Sequence, residues 1–179
     1  MYTASMDCPV GIFLSHLPPE VSSSKILCEK LVKYTGAPEL HEFKEFFSDK
    51  IFSEIHRTMG YLERSREVNF FSFWDKNFPS CLRTISTPPW GLYVLGQPFD
   101  ANYCFATNLG VVGTRKPNAY GIESVRFLIS NLRSHSVRMV SGLALGIDSV
   151  AHATANAVGI PNVAVLGGGF ANAGATLRT

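Results

Sequence analysis

Three short apolar segments in the C-terminal half of the chain each run into a loop that contains glycine. The segments cover residues 109–112, 137–140 and 163–166. Between the first two, apolar residues recur at helical spacing: Ile122, Val125, Leu128, Ile129 and Leu132. A second helix is predicted over residues 147–158. Continuous apolar strands that alternate with amphipathic helices are typical of a parallel sheet covered on both faces, with right-handed crossovers. We therefore predict an α/β fold with a Rossmann-like parallel sheet.

The N-terminal part has a different pattern. Helical stripes run through residues 24–66, for example Ile51, Ile55, Met59 and Leu62, and suggest core or partner-facing surface rather than catalysis. Residues 68–95 contain prolines that exclude one long helix. There we predict a strand at 68–73, a helical turn at 79–84 and a strand at 91–95. The predicted domains are a helical N-terminal module, 1–66, and a partial Rossmann-like domain, 67–179.

Aromatic residues are concentrated between the two parts. Such side chains can stack on nucleic-acid bases, but they pack in protein cores more often. For most of this group we favour a core position: Phe70, Phe71, Phe73, Trp74, Trp90 and Tyr93.

Composition excludes few functions. A net charge of +2 and 17% charged residues do not indicate a strongly basic protein, although a local cationic cluster remains compatible with them. No apolar run approaches the roughly 18 residues of a membrane helix, and no secretory signal is evident. The four cysteines form no CxxC pair, so we expect reduced thiols, no metal and no other cofactor. We expect a cytoplasmic protein without a membrane partner.

The loops after the three strands indicate an anion site. They read GTRKPNAYG from Gly113, SGLALG from Ser141 and GGG from Gly167. In a parallel α/β sheet these loops share the carboxyl edge, where ligands bind. Glycine permits close approach to the backbone, and helix N-termini favour phosphate. The predicted phosphate-binding residues are Gly113, Thr114, Arg115, Lys116, Ser141, Gly142, Gly146, Gly167 and Gly168.

Two alternatives stay open at this edge. Arg115 either grips phosphate oxygens or forms a salt bridge that fixes its loop. Asp148 and His152, four residues apart on one helical face, are either a catalytic pair or a helix cap with its partner. For Asp148 and His152 we favour the structural, site-supporting role, and we expect no catalytic residue. The loops match neither the Walker A nor the GxGxxG pattern.

Several segments resemble the DNA-processing protein A family, also called DprA or Smf. FWDKNFPSCLRTISTPPWGLYVLG is similar to the family's segment before the sheet, and GVVGTRKPNAYG to its VGSR or VGTR loop. SGLALGIDSVAHATA is similar to SGLA.GID..AH..A, and VAVLGGG to the next strand and glycine turn. The similarity runs from about residue 73 to 169. The N-terminal helices only loosely resemble the family's SAM-like or helix-hairpin-helix module.

This resemblance implies a function. Members bind single-stranded DNA without sequence preference and help to load the RecA-type recombinase during natural transformation, which involves competence and DNA recombination. They are not known as enzymes. The loop with Gly113, Thr114 and Arg115 is similar to the family's DNA-phosphate pocket.

The segment after the glycine turn departs from the family pattern. It reads FANAGATLRT, where members continue with an Asp, a Tyr-Pro segment, further strands and a basic pocket residue. From the sequence we expect a C-terminally truncated chain with an incomplete sheet and an exposed edge. The homodimer of full-length members and full DNA binding, which depend partly on that region, are in doubt for such a chain.

Two other functions are alternatives for this sequence. One is a nucleotide-processing enzyme of the lysine-decarboxylase-like phosphoribohydrolase type, whose PGGxGTxxE signature carries a catalytic Glu that LGGGFANAG lacks. The other is a scaffold that contacts the recombinase without binding DNA. Turnover of AMP-like substrates would distinguish the enzyme from a binding protein.

Overall fold

A computed structural model of the chain describes residues 31, 49–65, 67–96, 107–168 and 170. The chain forms two units, Met1–Cys104 and Phe105–Thr179, called here the first and the second unit. Most of the predicted N-terminal module lies outside the described residues, so the division near residue 66 stays a prediction. No helix in the described part of the chain is long and apolar enough to cross a membrane.

Residues 49–96 of the first unit, as far as the structure describes them, form two helices and a strand pair. Helix α1 spans Asp49–Arg64 and confirms the helix predicted from Ile51, Ile55, Met59 and Leu62. Strand β1, Val68–Ser72, pairs antiparallel with β2, Gly91–Leu95, so that Phe70 faces Tyr93. The short helix α2, Ser80–Arg83, lies between them in sequence. Both strands and the helical turn were predicted at these positions.

Aromatic residues form a buried cluster in the described part of the first unit. Phe73 lies 5.2 Å from Trp90 and 5.8 Å from Phe78 between ring centroids, and all three are buried. The guanidinium of Arg83 packs over the rings of Phe73 and Phe78, and its Nε donates to the Phe73 carbonyl at 2.9 Å. Phe70 and Phe71 are also buried, while Trp74 and Tyr93 are half-buried. The core position predicted for most of this group is confirmed for Phe70, Phe71, Phe73 and Trp90.

Residues 107–168 of the second unit form a three-stranded parallel sheet with two helices. Its elements in chain order are β3 (Thr107–Gly110), α3 (Ala119–Asn131), β4 (Val137–Ser141), α4 (Ile147–Val158) and β5 (Asn162–Ala164). The strand order is β3-β4-β5. Gly110 pairs with Val140, and Ser141 pairs with Ala164. The Rossmann-like α/β architecture predicted from the alternation is confirmed.

One core joins both helices to the central strand. Its buried residues are Ile129 of α3, Met139 of β4, Ala151 and Ala155 of α4, and Ile160. Because α3, α4 and Met139 share this one cluster, the described part of the sheet carries both helices on one face. This differs from the sheet covered on both faces that the apolar strands predicted, since no helix of the described residues lies on the other face. The alanines let the helix approach the strand closely, and α4 ends at Gly159, whose φ of 76° is readily accessible to glycine.

Two strands begin earlier than the apolar pattern predicted. β3 starts at Thr107 rather than residue 109, and β5 starts at Asn162 rather than residue 163. Ladder pairing with β4 determines these bounds, and it includes polar residues that a hydrophobic pattern misses. Leu128, which was used to predict α3, is 62% exposed and lies outside the core.

Met139→Ala should destabilise the second unit. Met139 is 1% exposed, and truncation leaves a cavity under two helices, so we expect a loss of about 2–5 kcal/mol in unfolding free energy. Leu128→Ala removes an exposed side chain of similar size and should cost less than about 0.5 kcal/mol. Urea unfolding followed by circular dichroism compares the two; equal losses would contradict this core.

Candidate functional site

The three glycine-bearing loops lie side by side at the carboxyl edge of the sheet. The first follows β3 at residues 111–118, the second follows β4 at 142–146, and the third follows β5 at 165–168. Their first residues continue the ladder: Val111 N–H donates to the Val140 carbonyl and Val165 N–H to the Ser141 carbonyl, both at 2.9 Å. The predicted meeting of the loops at one edge is therefore observed.

A backbone contact fixes the first loop on the second. The Ile147 N–H donates to the Thr114 carbonyl at 3.1 Å. At Gly146, where φ is 88°, a Cβ would lie 2.3 Å from the Thr114 carbonyl oxygen and 2.7 Å from the Arg115 carbonyl carbon. Gly146 thus allows the two loops to touch, which differs from the close approach of a ligand that the sequence suggested for the glycines.

Gly113 makes a second close contact with the start of α4. A Cβ at this position would lie 2.6 Å from Cβ of Ile147, which is buried. The Thr114 hydroxyl accepts the N–H of Lys116 at 3.2 Å and so closes a short turn. Because Gly113 and Gly146 have no side chains, the first loop can pack directly against the start of α4, and these contacts fix its position.

The two cations of the first loop point to the surface. Arg115 and Lys116 are both exposed. Neither forms an ion pair with any carboxylate of the described residues. Glu123, in the neighbouring helix, pairs with Arg126. The salt-bridge alternative for Arg115 thus finds no carboxylate in this part of the chain. Two exposed cations on a fixed loop are suited to bind an anion.

The start of α3 adds backbone donors beside these cations. Asn118 is the N-cap, and its side-chain oxygen accepts the Gly121 N–H at 2.9 Å, while its carbonyl accepts the Ile122 N–H. Within the described residues, the N–H groups of Ala119 and Tyr120 have no acceptor. Unsatisfied N–H groups in the first turn and the helix dipole both favour a negative charge.

The start of α4 is occupied by protein groups instead. Ile147 N–H donates to Thr114, and Ser149 donates through both its N–H and its hydroxyl to the Ala144 carbonyl, at 3.1 and 2.5 Å. Leu143, in the same loop, has a φ of 55°, which leucine rarely adopts. The second loop is thus tightly constrained, and α3 offers an anion more free donors than α4.

Asp148 and His152 are buried and face different neighbours. The Asp148 carboxylate accepts the Gly142 N–H at 3.2 Å, while Nδ1 of His152 lies 2.8 Å from the side-chain oxygen of Asn162. The suggested cap and its partner are not observed, because Gly146 holds the N-cap position and His152 reaches β5 rather than Asp148. Asn162, which the sequence analysis missed, is a polar residue in an otherwise apolar strand.

The remaining predicted phosphate-binding residues differ in their exposure to solvent. Ser141 is 3% exposed, and its hydroxyl has no hydrogen-bond partner among the described residues. Gly142, Gly167 and Gly168 are exposed, and a Cβ at either of the last two would meet open space. Ser141 thus lies beneath the edge, and the third loop leaves room above it. No cluster of three metal-ligating side chains occurs in the described ranges.

Comparison with known sequences relates residues 69–176 to the family described as DNA recombination-mediator protein A. DNA processing protein DprA of Bacillus subtilis is 33% identical over 107 residues, which are 60% of this chain and 35% of that protein. Protein Smf of Synechocystis is 35% identical over 113 residues, 62% of this chain and 28% of its own length. The match thus spans about a third or less of these curated relatives.

A solved structure has the same fold. The X-ray structure of DNA processing protein A from Streptococcus pneumoniae superposes with a TM-score of 0.61 at 24% sequence identity. The match covers 93% of this chain and 62% of that one. At this identity the likeness supports the architecture alone.

Gly146→Ala should destabilise the chain much more than Gly159→Ala. Both glycines have positive φ, so each alanine variant carries a backbone cost of about 1–2 kcal/mol. A Cβ at Gly159 meets nothing within 4 Å, whereas one at Gly146 collides with backbone of the first loop. We expect a total of about 3 kcal/mol or more for Gly146→Ala. Equal unfolding midpoints in urea would contradict the contact between the loops.

Proposed function

The chain belongs to the DNA recombination-mediator protein A family, and on this premise we propose that it binds single-stranded DNA without sequence preference. The proposed contacts are with phosphates at the glycine loops. The observation that carries the proposal is the exposure of Arg115 and Lys116 on a loop held at the carboxyl edge, beside the open N-terminus of α3. Charged donors and unsatisfied N–H groups there match a phosphodiester.

Contacts of this kind explain binding that ignores sequence. Phosphates are identical at every nucleotide, so cations and backbone N–H groups bind them without reading a base. We place Gly113, Thr114, Arg115 and Lys116 in direct contact with the strand. Gly167 and Gly168 border the same edge with open space above them. Ser141, Gly142 and Gly146 shape the base of the edge.

The proposal is one of binding rather than catalysis. Asp148 is buried and accepts the Gly142 N–H of the second loop, and buried His152 contacts Asn162 of β5 through Nδ1, which supports a structural role for both residues. We further propose that the bound strand is passed to a RecA-type recombinase in the cytoplasm during natural transformation. The family's description as a recombination mediator supports this step.

Arg115→Ala should weaken binding to a labelled oligo-dT about tenfold, since a charge-assisted hydrogen bond to a phosphate is lost. Loss of one phosphate contact should also reduce the slope of log K against log salt by about 0.7. Fluorescence anisotropy across a salt series measures both quantities. A mixed-sequence strand should show the same loss.

Arg133→Ala is the matched control. Arg133 is an exposed arginine in the turn after α3, at the opposite end of that helix from the first loop. Both variants lower the net charge by one, so a general electrostatic effect would weaken both equally. Equal weakening, or no binding by the folded wild-type chain, would contradict the proposed site.

A further inference from the structure

Tyr120 presents its ring to solvent directly beside the cationic loop. It is the second residue of α3 and is 81% exposed. Its carbonyl accepts the Ser124 hydroxyl at 2.8 Å, so the residue takes part in a regular helix while its side chain stays outside the core. We propose that this ring is a stacking platform for one base of the single-stranded DNA whose phosphates contact Arg115 and Lys116. The inference rests on the proposed function.

Most aromatic residues of the Phe70–Trp90 region are poorly placed for this role. Phe70, Phe71, Phe73 and Trp90 are buried in the first unit, and half-buried Trp74 already stacks on Trp90 with a centroid distance of 5.9 Å. Their rings are covered by one another. Tyr120, in contrast, has a ring face available to a flat partner, and its hydroxyl can remain in water while the ring is covered.

The position of Tyr120 relative to the charges favours a nucleic-acid strand. It lies four positions after Lys116 and five positions after Arg115, and the Asn118 cap fixes the turn between loop and helix. Proteins that bind single strands without sequence preference combine cations that track the backbone with aromatic rings on which bases stack. The first loop and the first turn of α3 bring both elements together on a short stretch of chain.

The competing hypothesis is that the exposed face of α3 binds an apolar surface of a protein partner. Phe127 and Leu128 are 69% and 62% exposed on the same helix and would extend such a contact. Phe127, however, lies seven residues after Tyr120, about 10 Å further along the helix axis. The arginine next to it, Arg126, is paired with Glu123. Two exposed cations without an ion pair in the described residues, Arg115 and Lys116, lie within five positions of Tyr120, whereas Leu128 has one such cation, Arg133, at that separation. The nucleobase is therefore assigned to Tyr120.

The test compares oligo-dT with an abasic strand of equal length, because both present the same phosphates and only the first has bases. Tyr120→Ala should weaken oligo-dT binding about five- to hundredfold, the range measured for loss of one stacked base. Binding of the abasic strand and the salt slope should stay unchanged. Tyr120→Phe keeps the ring and should bind as the wild type does, and so should Phe127→Ala.

The outcomes separate this inference from the proposed function. If Tyr120→Ala binds oligo-dT normally while Arg115→Ala weakens it, stacking is wrong and the phosphate site stands. If Phe127→Ala weakens binding as much as Tyr120→Ala, the effect belongs to the whole helix face and the inference is overturned. If the folded wild type binds neither strand, both proposals fail. Should Tyr120→Ala melt early, Tyr120→Leu keeps the bulk without the flat ring and should show the same selective loss.

Discussion

The contact between Gly146 and the backbone of Thr114 and Arg115 is the constraint on which the site depends. A side chain at residue 146 would overlap the first loop, and the Ile147 N–H closes the contact by donating to Thr114. The loop is therefore held against the first turn of α4, and its cations face outward. The same contact uses the Ile147 N–H, which α4 would otherwise offer to an anion, so the start of α3 is the more open helix terminus at this edge.

A site of this kind requires little charge. The chain has a net charge of only +2, yet Arg115 and Lys116 lie together on a fixed loop beside free N–H groups. Two cations and nearby free N–H groups thus take the place of an extended basic surface. Because few phosphates are contacted, the binding affinity should depend only weakly on salt concentration. Buried Asp148 contributes through the Gly142 N–H rather than through a surface charge. Because its carboxylate is buried, Asp148 adds no exposed negative charge beside the two cations at the edge.

Sequence patterns predicted the elements well because alternation of apolar strands and helices is a local property. The helix over Ile147–Val158 was predicted at its observed bounds. Patterns failed where a partner across the fold decides the outcome. Pairing with β4 extends β3 back to Thr107, and the partner of His152 is Asn162, ten residues away, rather than Asp148. The Gly146 contact also depends on a loop more than thirty residues earlier, which no local motif reveals.

Titration of the isotopically labelled chain with oligo-dT, followed by backbone amide shifts in NMR spectra, tests the central claim most directly. The account predicts that the largest shifts fall on residues 113–121, the first loop and the first turn of α3. Amides in the middle of α4, such as those of Ala151 and Ala155, should move little because they lie in the core. Saturable shifts confined to the first unit, with residues 113–121 unchanged, would contradict the placement of the strand at this edge.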